Sequence, residues 1–256
     1  MKTFHGHSIA RKKAEKEGNL SMNDWNSAQY VRFRKERTQP AIDLAARIGL
    51  DAPASVLDVG CGPGNSTAIL QERFPYAKIL GVDSSPNMLE RARKEHPELE
   101  FRQLDVSSEA WDLDGAFDLV FSNACIHWVP DHHRLLPKMM SVLNSGGMLA
   151  VQVPITREEP MHQILHEISG RDAWRGFFPS PARFYTLRVE EYDAILSGIA
   201  QEYDLWTTVY VHRLRSHDDI IAWYQSTGLK PYLSALDAQG QRALLTEVRA
   251  ELEKRY

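Results

Sequence analysis

The chain has only two cysteines in 256 residues, Cys61 and Cys125, and they form neither a CxxC pair nor a Cys/His ligand spacing. This argues against a disulfide framework and against a structural zinc site, and a reducing, cytoplasmic setting is expected. Basic charge is not in excess: 30 Lys and Arg face 34 Asp and Glu, a formal net charge of -4. Such a balance offers no general attraction to a phosphate backbone or an anionic membrane, so neither nucleic acid nor a bilayer is an expected partner. No apolar run approaches the roughly 20 residues that span a bilayer, and the N-terminus lacks an apolar stretch of the secretory kind. Repeats and low-complexity tracts are missing too. Residues 1–21 hold Arg11, Lys12, Lys13 and Lys16 with little apolar content, and they read as a disordered leader or an added remnant, with Met22 as an alternative start.

What is present is ordinary globular composition, 43% hydrophobic and 25% charged, enough to build a full-sized core, and one domain over 22–256 is expected. Short apolar runs at 55–59, 78–82, 100–104, 117–122 and 148–153 alternate with stretches of helical period at 39–48, 68–73, 87–95 and 132–143. The alternation predicts an α/β fold, doubly wound, with a mostly parallel sheet and helices on both faces. Ser85 is placed to cap one helix with Pro86 at its first position, and Asp131 to cap the helix beginning at His132. After Pro154 the alternation stops. Residues 154–200 read as a helical or irregular insertion, with Pro160, Gly170, Gly176, Pro179 and Pro181 among aromatics and histidines. A β-like run at 204–212 and helical stretches at 218–226 and 239–255 complete the chain.

The most informative stretch is Val56-Leu57-Asp58-Val59-Gly60-Cys61-Gly62-Pro63-Gly64-Asn65-Ser66-Thr67, an apolar strand running into glycines and then a helix. Glycines there permit positive φ and bring the backbone close to a ligand at the carboxyl end of the first strand, although a bare strand-to-helix turn gives the same pattern. The second strand ends at Asp83, at the interval where dinucleotide-type folds place an acid for ribose hydroxyls. The third ends at Asp105-Val106, either an adenine edge contact or a turn cap. Here the chain resembles the class I methyltransferases, with a Rossmann-like sheet and a first motif of the form acid-x-Gly-x-Gly-x-Gly, as in Asp58 to Gly64. A nicotinamide fingerprint has its last glycine one place later.

That resemblance implies S-adenosylmethionine as cofactor, S-adenosylhomocysteine as product and no metal. It assigns Asp58 and the backbone of Gly60, Cys61, Gly62 and Gly64 to the methionine moiety, Asp83 to the ribose, and Met88, Asp105 and Val106 to the adenine, with Asn65 and Ser84 as further cofactor contacts. Asn123 joins the cofactor set, and His127 and Trp128 after the fourth strand are implied at the reacting methyl group. The chain is further similar to the trans-aconitate 2-methyltransferases. The segments that carry this are Asp24-Trp25-Asn26-Ser27-Ala28-Gln29-Tyr30, Arg37-Thr38-Gln39-Pro40-Ala41, Asn123-Ala124-Cys125-Ile126-His127-Trp128-Val129-Pro130-Asp131-His132, Gly146-Gly147-Met148, Trp206-Thr207-Thr208-Val209-Tyr210-Val211-His212, and Thr227-Gly228-Leu229-Lys230-Pro231-Tyr232-Leu233.

Three departures stand out. Pro154-Ile155-Thr156 replaces the family's Pro-Asp-Asn, Lys230 stands where it tends to have arginine, and the apolar strand that follows its last helix is not in this sequence. The resemblance implies a carboxylate O-methyltransferase acting on trans-aconitate or a related small polycarboxylate, giving a monomethyl ester. An O- or N-methyltransferase for another metabolite, or a non-catalytic S-adenosylmethionine-binding protein, are the alternatives. A polycarboxylate calls for cations and donors. Arg183, Tyr185, Tyr210 and His212 are the substrate-binding candidates, with Arg157, His162 and Lys230 beside them, and the resemblance alone adds Tyr30 and Arg37, closing over the cofactor from the N-terminal helix; Tyr210 and His212 share a face of their run. Oligomeric state is not legible.

Overall fold

The computed structural model describes residues 34–113, 115–178, 184–225 and 227–256. Its elements are α1 (Arg34–Ala46), β1 (Ser55–Val59), α2 (Asn65–Arg73), β2 (Lys78–Asp83), α3 (Pro86–Glu95), β3 (Glu100–Gln103), β4 (Phe117–Asn123), a 3-10 turn (Ile126–Trp128), α4 (His132–Ser141) and β5 (Leu143–Gln152). Then follow α5 (Pro160–Ser169), α6 (Asp172–Arg175), α7 (Val189–Ile199), α8 (His217–Gln225), α9 (Lys230–Ser234) and α10 (Ala238–Leu252). Among the described residues the sheet has five strands, all parallel, in the order β3-β2-β1-β4-β5. This is the Rossmann-like doubly wound α/β fold. Strand order reverses between β1 and β4, where such sheets open a crevice at their carboxyl edge.

Side-chain alternation along β1 assigns the two faces. Leu57 and Val59 join Val120 and the α4 residues Leu135, Leu136 and Met139 in one core, with Ile195 of α7. Val56 points the other way, into a core with Ala41, Leu44 and Ala45 of α1, Leu70 of α2, Leu119 and Phe121. A third apolar core involves no strand: Met161, Ile164, Leu165 and Ile168 of α5 pack with Trp174, Ile221, Leu229, Tyr232, Leu244, Val248 and Leu252. Thus the C-terminal helices fold back onto α5, which lies between β5 and α7 in sequence.

Helix and strand limits differ from expectation by a few residues, and three differences have clear causes. Ser85 does cap α3, its Oγ accepting from Met88 N with Pro86 at the first helical position. Asp131 precedes α4 but makes no side-chain cap bond, because it sits at φ 56 in the left-handed region. β5 starts at Leu143 instead of 148: Phe117 pairs with Leu143 and Leu119 already with Met148, so 144–147 bulge out around Gly146 at φ 77. The β-like run 204–212 forms no strand. Its Val209 and Val211 are 81% and 84% exposed, and side-chain contacts hold it instead: Tyr210 Oη donates to Asp43 Oδ2 at 2.7 Å and Arg47 lies over the Trp206 ring at 4.4 Å.

Candidate active site

All five strands run the same way, so the loops after them meet at one edge, and a cleft opens there. The loop after β1 is held first. Gly60 N and Cys61 N both donate to Val82 O, at 2.8 and 3.0 Å, and Gly60, Gly62 and Gly64 have φ of 75, 54 and 91. A Cβ at Gly60 would lie 2.2 Å from Cys125 Sγ, so the loop after β4 is pressed against this turn. Nothing stands within 4 Å of the Cβ position at Gly62, which lines the cleft.

Asp58 lies behind the loop, fully buried, and does not line the cleft among the described residues. Its Oδ2 accepts from Ser66 Oγ and Thr67 Oγ1, each at 2.7 Å, while Oδ1 is buried with no hydrogen-bond partner. Burial pushes its pKa up to about 6 despite those two donors. Gly64 also faces inward, against His96 and Phe101, as the residue preceding α2. Asp83, at the end of β2, accepts from Gly62 N at 3.0 Å on Oδ2 and from Ser85 N at 2.8 Å on Oδ1. Burial raises its pKa, against the pull of these two amides.

Cys61, Asn65, Ser84, Met88, Asp105, Val106 and Asn123 all line the cleft. Asp105 spends Oδ1 on a turn, accepting from Ser107 N and Ser107 Oγ. Asn65 Oδ1 and Asn123 Oδ1 are buried without a partner. These features fit S-adenosylmethionine. Unpartnered carbonyl oxygens suit the α-ammonium of the amino acid end, a carboxylate with two lone-pair positions still open suits a ribose diol, and Met88 and Val106 offer apolar walls for a purine.

Beyond β4 the backbone takes a left-handed step at Ala124, φ 51, and the 3-10 turn carries His127 and Trp128 to the cleft. His127 is 5% exposed and its Nδ1 has no partner. Burial, with His162 and His132 nearby, lowers its pKa to about 3. Its ring packs on Trp128 (4.9 Å) and stacks on Phe184 (5.6 Å), and its carbonyl accepts from Tyr185 N at 2.8 Å.

Of the substrate candidates, Arg37, Tyr185, Tyr210, His212, His162 and Lys230 line the cleft, whereas Arg157 is exposed and off it. Tyr30 and Arg183 lie outside the described residues. Arg37 is held by Trp223: Nη2 donates to its carbonyl at 2.6 Å and the guanidinium lies 4.9 Å over the ring. His212 packs on the same indole at 4.8 Å. The structure adds residues that no sequence pattern marked. Gln152 ends β5 beside Asn123 with Oε1 buried and unpartnered. Phe184, Tyr224 and Glu159 surround His162.

Among the described residues no three His, Cys, Asp or Glu side chains gather as a metal site, and no helix is long and apolar enough to cross a membrane. A family model described as a methyltransferase domain matches residues 56–147. Trans-aconitate 2-methyltransferases of Methylobacterium nodulans and Escherichia coli are 44% and 43% identical to the chain, each over 92% of it and 91% of their own length. In fold, the chain is similar to the YcgJ protein of Bacillus subtilis, with a TM-score of 0.53 at 18% identity, covering 83% of this chain and 82% of that one. The chain belongs to the trans-aconitate 2-methyltransferase family, whose members are S-adenosylmethionine-dependent enzymes.

Proposed function

We propose that the enzyme transfers the methyl group of S-adenosylmethionine to a carboxylate oxygen of trans-aconitate or a closely related small polycarboxylate, releasing a monomethyl ester. The observation that carries this reading is the state of His127. With its pKa lowered to about 3, it is neutral and weakly basic at any physiological pH. A phenol, alcohol or ammonium acceptor would need a base there, whereas a carboxylic acid with a pKa near 4 is already ionised. Bound S-adenosylmethionine supplies an electrophilic methyl on a sulfonium. The chain supplies placement.

In this reading Asp83 and Ser84 receive the ribose, Met88, Asp105 and Val106 the adenine, and Gly60, Cys61, Gly62, Asn65 and Asn123 the amino acid end. Asp58 and Gly64 act from behind, fixing the loop. His127 orients the acceptor, Trp128 and Phe184 keep water out, and alignment in a water-poor cleft provides several kcal/mol of the rate. Residues 154–200 recognise the substrate, with Tyr30, Arg37, Arg183, Tyr185, Tyr210 and His212 contributing. A single domain over 22–256 working in the cytoplasm, apart from nucleic acid and membrane, fits the charge balance. The test is transfer of labelled methyl to a panel of small carboxylic acids, amines and phenols. A base-labile ester of trans-aconitate is the expected product. Label only in an amine or phenol, or cofactor binding without transfer, would overturn the reading.

A further inference from the structure

Beside Phe184 lies a polar cluster, Glu159, His162 and Tyr224, whose ionisation the reaction just described does not use. Glu159 immediately precedes α5, yet its side chain does not cap the helix; Tyr224 Oη donates to Glu159 Oε2 at 2.5 Å instead. His162 Nε2 is 3.6 Å from the same oxygen. The imidazole is edge-on to Phe184 at 4.7 Å and to Tyr224 at 5.4 Å, and its Cε1 lies so near Gly228 that a Cβ there would approach to 2.8 Å. Glu159, His162, Phe184 and Tyr224 all line the cleft.

Resting on the proposed function, we infer that His162, oriented by Glu159 and Tyr224, binds a non-reacting carboxylate of the substrate, and that the Glu159–His162 pair takes up one proton as it does so. The carboxylate of Glu159 selects the ring tautomer with hydrogen on Nε2, which leaves Nδ1 an acceptor. An acceptor repels a carboxylate. One added proton makes the ring a donor at both nitrogens, between two carboxylates, and the result is the same whichever partner formally holds it. Around the pair, His127 is neutral, Tyr224 is kept protonated by burial and Glu159, and burial raises the pKa of Glu159 against the pull of Tyr224 and His212; Arg37 and Lys230 line the same cleft. Without substrate, burial holds His162 down to about 4, so near neutral pH the proton arrives with the ligand.

Linkage fixes the sign. The substrate-bound pKa is above the free one, so affinity is greatest below the free pKa and falls by up to about tenfold per pH unit up to the bound pKa. The experiment measures KM for trans-aconitate and kcat from pH 6 to 9 at saturating S-adenosylmethionine, with calorimetry on the S-adenosylhomocysteine complex in buffers of different ionisation enthalpy. A KM that climbs with pH at constant kcat, with uptake of one proton, is expected. His162→Gln should raise KM at pH 6.5 at least tenfold and abolish proton uptake, leaving cofactor affinity and melting temperature as in the wild type. Glu159→Gln should flatten the pH dependence of KM and reduce proton uptake, since a neutral amide no longer stabilises a protonated ring. A pH-independent wild-type KM, or an unchanged KM in His162→Gln, overturns the inference while methylation of trans-aconitate still stands. Loss of cofactor affinity in step with KM also overturns it, as damage to the fold. If the wild type methylates no polycarboxylate, the proposed function falls and the inference with it.

Discussion

Asp83 serves two partners at once. Of its roughly four lone-pair positions, two accept from the amides of Gly62 and Ser85, which fixes the carboxylate and the glycine loop together. Asp83→Asn should therefore weaken S-adenosylmethionine binding by about 2–3 kcal/mol, read by calorimetry. Unchanged affinity would remove Asp83 from the cofactor site. The glycines separate in the same way. Gly60→Ala must place a Cβ 2.2 Å from Cys125 Sγ at φ 75, and should lower the unfolding free energy in urea by about 2 kcal/mol or more. Gly62→Ala meets nothing within 4 Å, so a smaller loss of roughly 1 kcal/mol in stability is expected, with the larger effect falling on cofactor affinity. At His127, a neutral orienting ring predicts that kcat stays flat from about pH 6 to 9 and that His127→Asn keeps appreciable activity. A rate that falls tenfold per pH unit below about 7, and loses that dependence in His127→Asn, would reveal a base.

Helices α5, α8 and α10 rest on a core of their own. Ile164 of α5 is fully buried among Trp174, Ile221, Leu244 and Val248, while the glycine loop packs through Cys61 on Leu89, Ala92 and Phe101. Ile164→Ala should cost about 2–5 kcal/mol locally and raise KM for the acid more than it weakens cofactor binding. Hydrogen exchange would check it, with protection lost first in α5, α8 and α10 and retained in β1 and β4. An even loss across the sheet would mean that the two cores unfold together. The 204–212 run illustrates the limit of a periodic pattern. Its alternation has the period of a strand, but a strand needs hydrogen-bonding neighbours, and here Tyr210 and Trp206 are occupied by Asp43 and Arg47 of the α1 region.

Buried titrating groups couple the whole molecule to pH. The folded state holds His127 at about 3 and His162 at about 4, against 6.5 for a free imidazole, so below about 6.5 the unfolded chain takes up protons that the folded one refuses. Stability falls as pH drops through that window. Asp58 works in the opposite sense: raised to about 6 from 3.8, it gains a proton in the folded state first, and between pH 6 and 4 it favours folding. Denaturant titrations at pH 7, 5.5 and 4.5 should show a loss that His127→Asn reduces by roughly 2.5 kcal/mol between pH 7 and 4.5. Equal slopes in the two proteins would mean that the ring is not buried in its neutral form.

Most of the fold, and which residues line the candidate cleft at the sheet's carboxyl edge, were legible because those residues follow strands directly. Gly60, Asp83, Asp105 and Asn123 each come at or just after a strand end, and parallel strands deliver their carboxyl ends to one edge, so linear order translates into place. Side-chain contacts are another matter. That Asp58 would support the loop from behind, and that Asp131 would not cap its helix, depend on burial and on a left-handed backbone step with no signature in residue type. The part of the cleft beyond β5 was the least legible. Tyr224 reaches Glu159 across 65 positions and Arg37 reaches Trp223 across 186, and Gln152 gains its place beside Asn123 from strand pairing alone. Periodicity and motif spacing report on neighbours a few residues apart, whereas the Tyr224–Glu159 contact exists only once α5 and α8 have closed on a shared apolar core.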